Sequence, residues 1–231
     1  MQAHAIVIKD HEVSETGFNN LKVSSEKFKN SFKIRRFDAI LPKMARTIMS
    51  GNGLKWKYPW EGKETDLKTG LIKSAYQTAN KNTRIACALS HWLLWHKCFT
   101  EDTPLLILEH DALFIQKLEH SVVLKSKFDI IGINSPAAAT RKAHEFHDKV
   151  QAGRSLIQPV PTVDEFNVPQ GLAGNSAYII KPSGAKAILD AAREHGLWPN
   201  DALMCKQIIP NLGVTKTYYT RVQGLPSTTV S

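Results

Sequence analysis

Two carboxylates one residue apart, Glu109 and Asp111, close a continuous aliphatic run over residues 105–108. A pair of acids at the end of a buried strand is a place where a hard divalent ion, Mn²⁺ or Mg²⁺, can be shared and bridged to phosphate oxygens. The ordinary alternative is a strand-to-turn transition whose acids are solvated. His110 stands between them and offers an imidazole, which inclines such a site toward a borderline ion such as Mn²⁺. A further acid, Asp201, follows Trp198, Pro199 and Asn200; Asp at that point is well suited to cap a helix over residues 202–208. His144 and His147 are read as surface histidines rather than ligands.

Ahead of the acids, Ile85, Ala88, Leu89, Trp92, Trp95 and Phe99 recur at three- and four-residue steps, with Cys87, His91, Leu94 and Cys98 beside them. That spacing predicts a helix buried round most of its girth, with Thr83 as its N-cap. Residues 105–108 are too few for a helix and read as a strand covered on both faces. The chain opens with a strand over 3–9, a polar helix over 14–30 and a second strand within 28–37. This β-α-β order implies a mostly parallel sheet with ligands at its strand ends. Further buried strands are expected at 128–133 and 176–180, the latter followed by a helix over 182–192.

Residues 42–82 show little periodicity and read as a long loop in which Trp56, Tyr58 and Trp60 alternate with Lys55, Lys57 and Lys63. Such rings can stack on a sugar or an unpaired base, or plug the edge of the core. Residues 137–163 read as a polar, basic insert carrying Arg141, Lys142, Lys149 and Arg154. Lys27, Lys29, Lys33, Arg35 and Arg36 form the densest basic cluster. Gly51 and Gly53 lie too far from any strand to make a phosphate-binding fingerprint, which disfavours dehydrogenases and NTPases.

The 231 residues suit one domain; 42% are hydrophobic and 22% charged, ordinary globular values. A formal net charge of +9 favours polyanionic partners such as nucleic acid or an anionic glycan. Three cysteines without a C-x-x-C pair indicate reduced core thiols rather than a disulfide framework. No apolar run reaches membrane-spanning length. The expected location is the cytoplasm.

Three blocks in order carry a resemblance to a known family. Cys87-Ala88-Leu89-Ser90-His91 with Trp95 resembles the G-C-x-x-S-H-x-x-x-W helix of glycosyltransferase family 25, and Leu106 to Ala112 resembles its I-L-E-D-D-A strand end. Gly174 to Ile180 with Gly184-Ala185 resembles its later G-T-x-A-Y-x-I-x-x-x-G-A block. The departures are His110 in place of an acid, and Arg84-Ile85-Ala86 in place of Gly-Glu-Ile. The resemblance implies a GT-A-like, Rossmann-like α/β fold: one domain over 1–231, with a nucleotide-sugar half at 1–135 and an acceptor-side half at 136–231. It implies transfer of a hexose or pentose from a nucleoside diphosphate, most simply a UDP-sugar, to an acceptor hydroxyl by single-displacement inversion. In that reading Asp111 and Glu109 hold the metal, and Asp201 is the general base. Lys9 and Asp38 lie beside the donor nucleoside, and Ser90 and His91 position the donor or the metal loop. The acceptor is a lipooligosaccharide or, in a phage-type member acting in the host cytoplasm, a hydroxylated DNA base. A noncatalytic nucleic-acid-binding protein on the same scaffold is the alternative.

Overall fold

The computed structural model describes residues 1–139, 142–226 and 228. The first part of the chain gives β1 (Gln2–Val7), α1 (Glu12–Lys27), β2 (Ile34–Asp38), α2 (Pro42–Gly51), a hairpin of β3 (Lys63–Thr65) and β4 (Ile72–Ser74), and α3 (Lys81–Thr100). Then come β5 (Leu105–Glu109), β6 (Ala112–Phe114), α4 (His120–Leu124), β7 (Ile130–Gly132), α5 (Ala143–Ala152) and β8 (Ile157–Pro159). The chain continues through β9 (Ala177–Ile180), α6 (Pro182–His195), α7 (Asn200–Leu203), β10 (Leu212–Thr215) and β11 (Thr220–Val222).

Seven strands form one sheet in the order β2-β1-β5-β9-β7-β10-β8. β1 runs parallel to both β2 and β5, and β10 runs parallel to β7. β9 opposes β5 and β7, and β8 opposes β10, so five of the seven strands point the same way. The expected α/β class with a mixed, mostly parallel sheet is therefore the observed one. Leu105 to Leu108 are each 0% exposed. Leu105 and Ile107 face the core under α2, α3 and α6, while Leu106 and Leu108 face the core under α1. Strand alternation thus feeds two cores from one aliphatic run, each such side chain contributing about 1.5–3 kcal/mol of burial.

Local differences from the sequence reading have identifiable causes. α3 begins earlier than Thr83 because the Asn80 side chain accepts the backbone N–H of Asn82, a true N-cap bond. Phe99 falls on the last turn of α3 and is exposed. Residues 42–82 are not one loop: Pro42 starts α2, which buries Ala45 and Met49, and β3 and β4 pair antiparallel. Tyr58 is a core residue, packed on Tyr76 and against Trp198, and Trp56 stacks on Trp60 at 4.8 Å. The rings therefore plug the core edge. The 137–163 insert contains α5, which turns Phe146 and Val150, four residues apart, inward and leaves His144 and His147 outside. Arg141 lies outside the described residues. Asp201 sits in the first turn of the short α7, whose N-cap position is Pro199 rather than Asp201.

Candidate active site

The carboxyl ends of β1, β2 and β5 and the start of β9 open on one edge of the sheet, the usual ligand side of such a fold. Glu109 ends β5 facing His91 of α3, whose Nε2 lies 3.1 Å from Glu109 Oε1. His91 Nδ1 is 2.9 Å from the hydroxyl of Tyr178, which also accepts the Trp95 Nε1–H at 2.8 Å. All three rings are buried. With the Nε2–H directed at a carboxylate, the neutral imidazole presents Nδ1 as acceptor for the Tyr178 O–H. The ring is thereby fixed, and so is the carboxylate. Burial pushes the Glu109 carboxyl upward, but the hydrogen bond from His91, aided by the charge of Arg84, outweighs it and holds the group below its usual range.

Asp111 is in the opposite condition. Its Oδ1 is buried with no partner among the described residues. Burial, then the charge of Glu109, push its carboxyl up to about 7, with a hydrogen bond from Ser176 pulling the other way. Two acids that raise each other's energy, one with an orphaned oxygen, fit a divalent cation better than they fit water-free burial. His110 turns its ring against Gly17 of α1 and into the adjoining cavity, and its backbone oxygen accepts from Gln223 Nε2. A Cβ on Gly17 would come within 2.7 Å of that oxygen, so glycine is what lets α1 lie this close to the strand end.

Two cavities flank the acids. One, of about 290 Å³, is walled by Ile6, Ile8, Ala39 and Ile40 on one side and by Ser90, His91, Glu109 and His110 on the other. The second, of about 260 Å³, is lined by Tyr58, Tyr76, Lys142, Asp164 and Gln170, with Asp201 at its inner end. Burial pushes the Asp201 carboxyl above its usual range; Arg84 and a hydrogen bond from Tyr76 pull it down, and Glu109 adds to the rise. Gly171 passes so close that a Cβ there would lie 2.8 Å from the backbone oxygen of Asp201. Only glycine lets that loop seat the acid.

Of the residues singled out from sequence, Glu109, Asp111, Asp201, Ser90 and His91 gather at this edge. Ser90 accepts the Ile40 N–H at 2.9 Å and donates to the Ala86 carbonyl, so it anchors the loop after β2 to α3 as well as lining the first cavity. Lys9 is exposed in the loop after β1, where its neighbours Ile8 and His11, not Lys9, form the cavity wall. Asp38 is exposed at the end of β2 and is held by Arg36 at 2.5 Å, outside the cavity lining. Sequence reading missed Arg84, Tyr76, Cys87 and Asn175. Among the described residues the buried Nε of Arg84 meets no partner, and neither do the two buried side-chain polar atoms of Asn175. The spacing Arg84, Cys87, His91, on one face of a helix, was the available sign.

The family model described as glycosyltransferase family 25 (LPS biosynthesis protein) matches residues 19–204. The chain belongs to glycosyltransferase family 25. The match takes in α3, the strand-end acids and Asp201. A search of curated proteins found no match. Among solved structures, the galactosyltransferase LgtC in complex with donor and acceptor sugar analogs is similar at 7% identity and a TM-score of 0.44, over 93% of this chain and 73% of that one. The apo bifunctional glycosyltransferase WbbM is similar at 7% identity and 0.44, over 94% of this chain and 38% of that one. The apo glycosyltransferase GlyE of Streptococcus pneumoniae TIGR4 follows at 9% identity and 0.34, covering 84% and 38%. Among the described residues no helix is long and apolar enough to cross a membrane.

Proposed function

We propose that this family-25 chain transfers a hexose or pentose from a nucleoside diphosphate, most simply UDP, to a glycan hydroxyl, with Asp111 and Glu109 holding Mn²⁺ or Mg²⁺. The observation that carries the reading is the buried, unpartnered Oδ1 of Asp111 beside Glu109, at a strand end that opens on a cavity. The bound ion would supply charge relief to the departing diphosphate. The residues do the rest. The apolar wall of Ile6, Ile8, Ala39 and Ile40 accepts the flat face of a base, and Arg84 offers its unpaired Nε to a phosphate oxygen. Asp201, with its carboxyl raised above the usual range, takes the acceptor proton as base, and inversion follows from a base on the side opposite the donor.

The second cavity supports a sugar acceptor. Its aromatic faces, the neutral Gln170 and the balanced Lys142–Asp164 pair at 3.3 Å suit hydroxyls and ring C–H groups better than phosphates. In this reading residues 1–135 serve mainly the donor and 136–231 mainly the acceptor, with Tyr58 and Tyr76 crossing to the acceptor side.

The test is product mass. The protein is incubated with a panel of sugar nucleotides and Mn²⁺, with lipooligosaccharide, hydroxymethylated DNA or no acceptor. Hexose or pentose added to lipooligosaccharide supports the reading; sugar added only to DNA replaces the glycan by a hydroxylated base. Tight DNA binding with neither transfer nor donor hydrolysis would leave a noncatalytic binding protein. Asp111→Asn is expected to abolish divalent-dependent turnover in the active pairing, and full activity in a chelator would remove the metal from the scheme.

A further inference from the structure

We propose that Cys87, His91 and Glu109 form a second metal site, selective for a borderline ion such as Zn²⁺ and chemically distinct from the all-oxygen pair Glu109–Asp111. The ligand atoms of the three residues lie within 4.8 Å of one another, and they are the group of three or more metal-ligating side chains that converges in this way among the described residues. A tetrahedral ion bound at roughly 2.0–2.3 Å to sulfur, nitrogen and oxygen sets its ligands about 3.5 Å apart. Closing Cys87, His91 and Glu109 around an ion therefore takes only a small movement of the three side chains, with the His91–Glu109 hydrogen bond exchanged for bonds to the metal.

The sequence builds this set economically. Cys87 and His91 are four residues apart on α3 and so share one face, and β5 brings Glu109 against it. All three line the 290 Å³ cavity, which gives an ion a way in. A fourth position is open to water or to Asn200, whose Oδ1 lies 3.8 Å from Cys87 Sγ. Tyr178 is already the outer partner of the imidazole. When His91 gives its Nε2 lone pair to a metal, the hydrogen moves to Nδ1 and is accepted by the Tyr178 oxygen, the usual support of a ligating histidine.

Binding breaks the Cys87 S–H bond, forms a sulfur–metal bond and releases one proton to solvent. Thiolate and imidazole select Zn²⁺, whereas carboxylates alone suit Mg²⁺ and Mn²⁺. Because Glu109 belongs to both sets, occupancy here draws it from Asp111. That consequence rests on the proposed function: Zn²⁺ would inhibit Mn²⁺-supported transfer.

The experiment is a Co²⁺ titration of the full, reduced chain, read by absorption. Wild type is expected to show a sulfur-to-cobalt charge-transfer band that one equivalent of Zn²⁺ removes. Cys87→Ser should lose that band and Asp111→Asn should keep it. X-ray absorption of the Zn²⁺-loaded wild type should show one sulfur at about 2.3 Å, a measurement that needs no variant to fold. A shell of only oxygen and nitrogen, no charge-transfer band at saturating Co²⁺, or a band that survives Cys87→Ser would overturn the site. An intact band in a protein that transfers no sugar under any condition would count against the proposed function and leave the site standing.

Discussion

Asp111 concentrates the electrostatic cost of this site in one side chain. Its carboxyl is raised from 3.8 to about 7, by burial first and Glu109 second. A raised carboxyl binds more protons in the folded chain than in the unfolded one between those two values. Stability of the metal-free protein therefore falls as pH rises through that window, and the penalty is complete above it. Melting curves from pH 4 to 8 without divalent ion should show this slope, and Asp111→Asn or added Mn²⁺ should flatten it. Asp201 is tested differently. Asp201→Asn keeps the shape beside Tyr76 and removes the base, so kcat should fall about 10²–10⁴-fold with donor affinity nearly unchanged. Near-normal kcat in that variant would move the base to Asp164, which lines the same cavity.

The element that organises the site is α3, and its hold on β5 runs through side chains in a row. Trp95, Tyr178, His91 and Glu109 are linked by bonds of 2.8, 2.9 and 3.1 Å across helix and sheet. Tyr178→Phe keeps the ring and leaves the buried Trp95 Nε1–H donor and the buried His91 Nδ1 acceptor without a partner, at about 1–3 kcal/mol for each group. The expected result is a lower melting temperature together with a higher Mn²⁺ concentration for half-maximal activity, because Glu109 is no longer held. A purely structural role would move the first and not the second. The β3–β4 hairpin hangs on a second buried device. Lys73, 1% exposed, donates to the Lys57 carbonyl at 2.7 Å and to Asp66 at 3.1 Å, with its ammonium 4.9 Å from the Trp198 ring. Lys73→Met removes the ammonium from Asp66, which keeps its bonds from Lys68 and Thr69, and should cost about 1–3 kcal/mol, read as a shift in the denaturation midpoint. The hairpin then loosens beside Tyr58, and acceptor KM should rise more than donor KM.

At the scale of the whole molecule the +9 charge is spread, not focused on the acids. Arg35 and Arg36 lie on the edge strand β2, where charge discourages strand addition, and Arg36 is already paired with Glu15 and Asp38. Lys55, Lys57, Lys68 and Arg193 line a groove of about 520 Å³ between the hairpin and the end of α6, mixed with Glu64, Asp66 and Glu194. Affinity for duplex DNA is expected to fall steeply with salt, each neutralised phosphate adding about 0.9 to the slope of log K against log salt. Lys55→Glu with Lys57→Glu should lower that slope if the groove is the contact, and an unchanged slope would place the contact elsewhere. What the sequence by itself determined was periodic or local: the buried helix face of α3, the doubly covered run at 105–108, the acids that stop it, and the order of strands and helices. Those follow from backbone geometry, which repeats along the chain and so leaves a pattern in it. The boundaries at Asn80 and Pro42 were local too, but their signs were overlooked in favour of Thr83 and a loop. Only the tertiary structure decided that His91 is held between Glu109 and Tyr178, that Arg84 and Asn175 carry buried atoms without a partner among the described residues, and that Lys73 is interior while Lys9 and Asp38 stand outside the cavity. The reason is that these contacts join residues from α3, β5, β9 and α7 that are distant in sequence. Which face of each element meets which is set by the packing of the sheet, and no spacing along the chain records it.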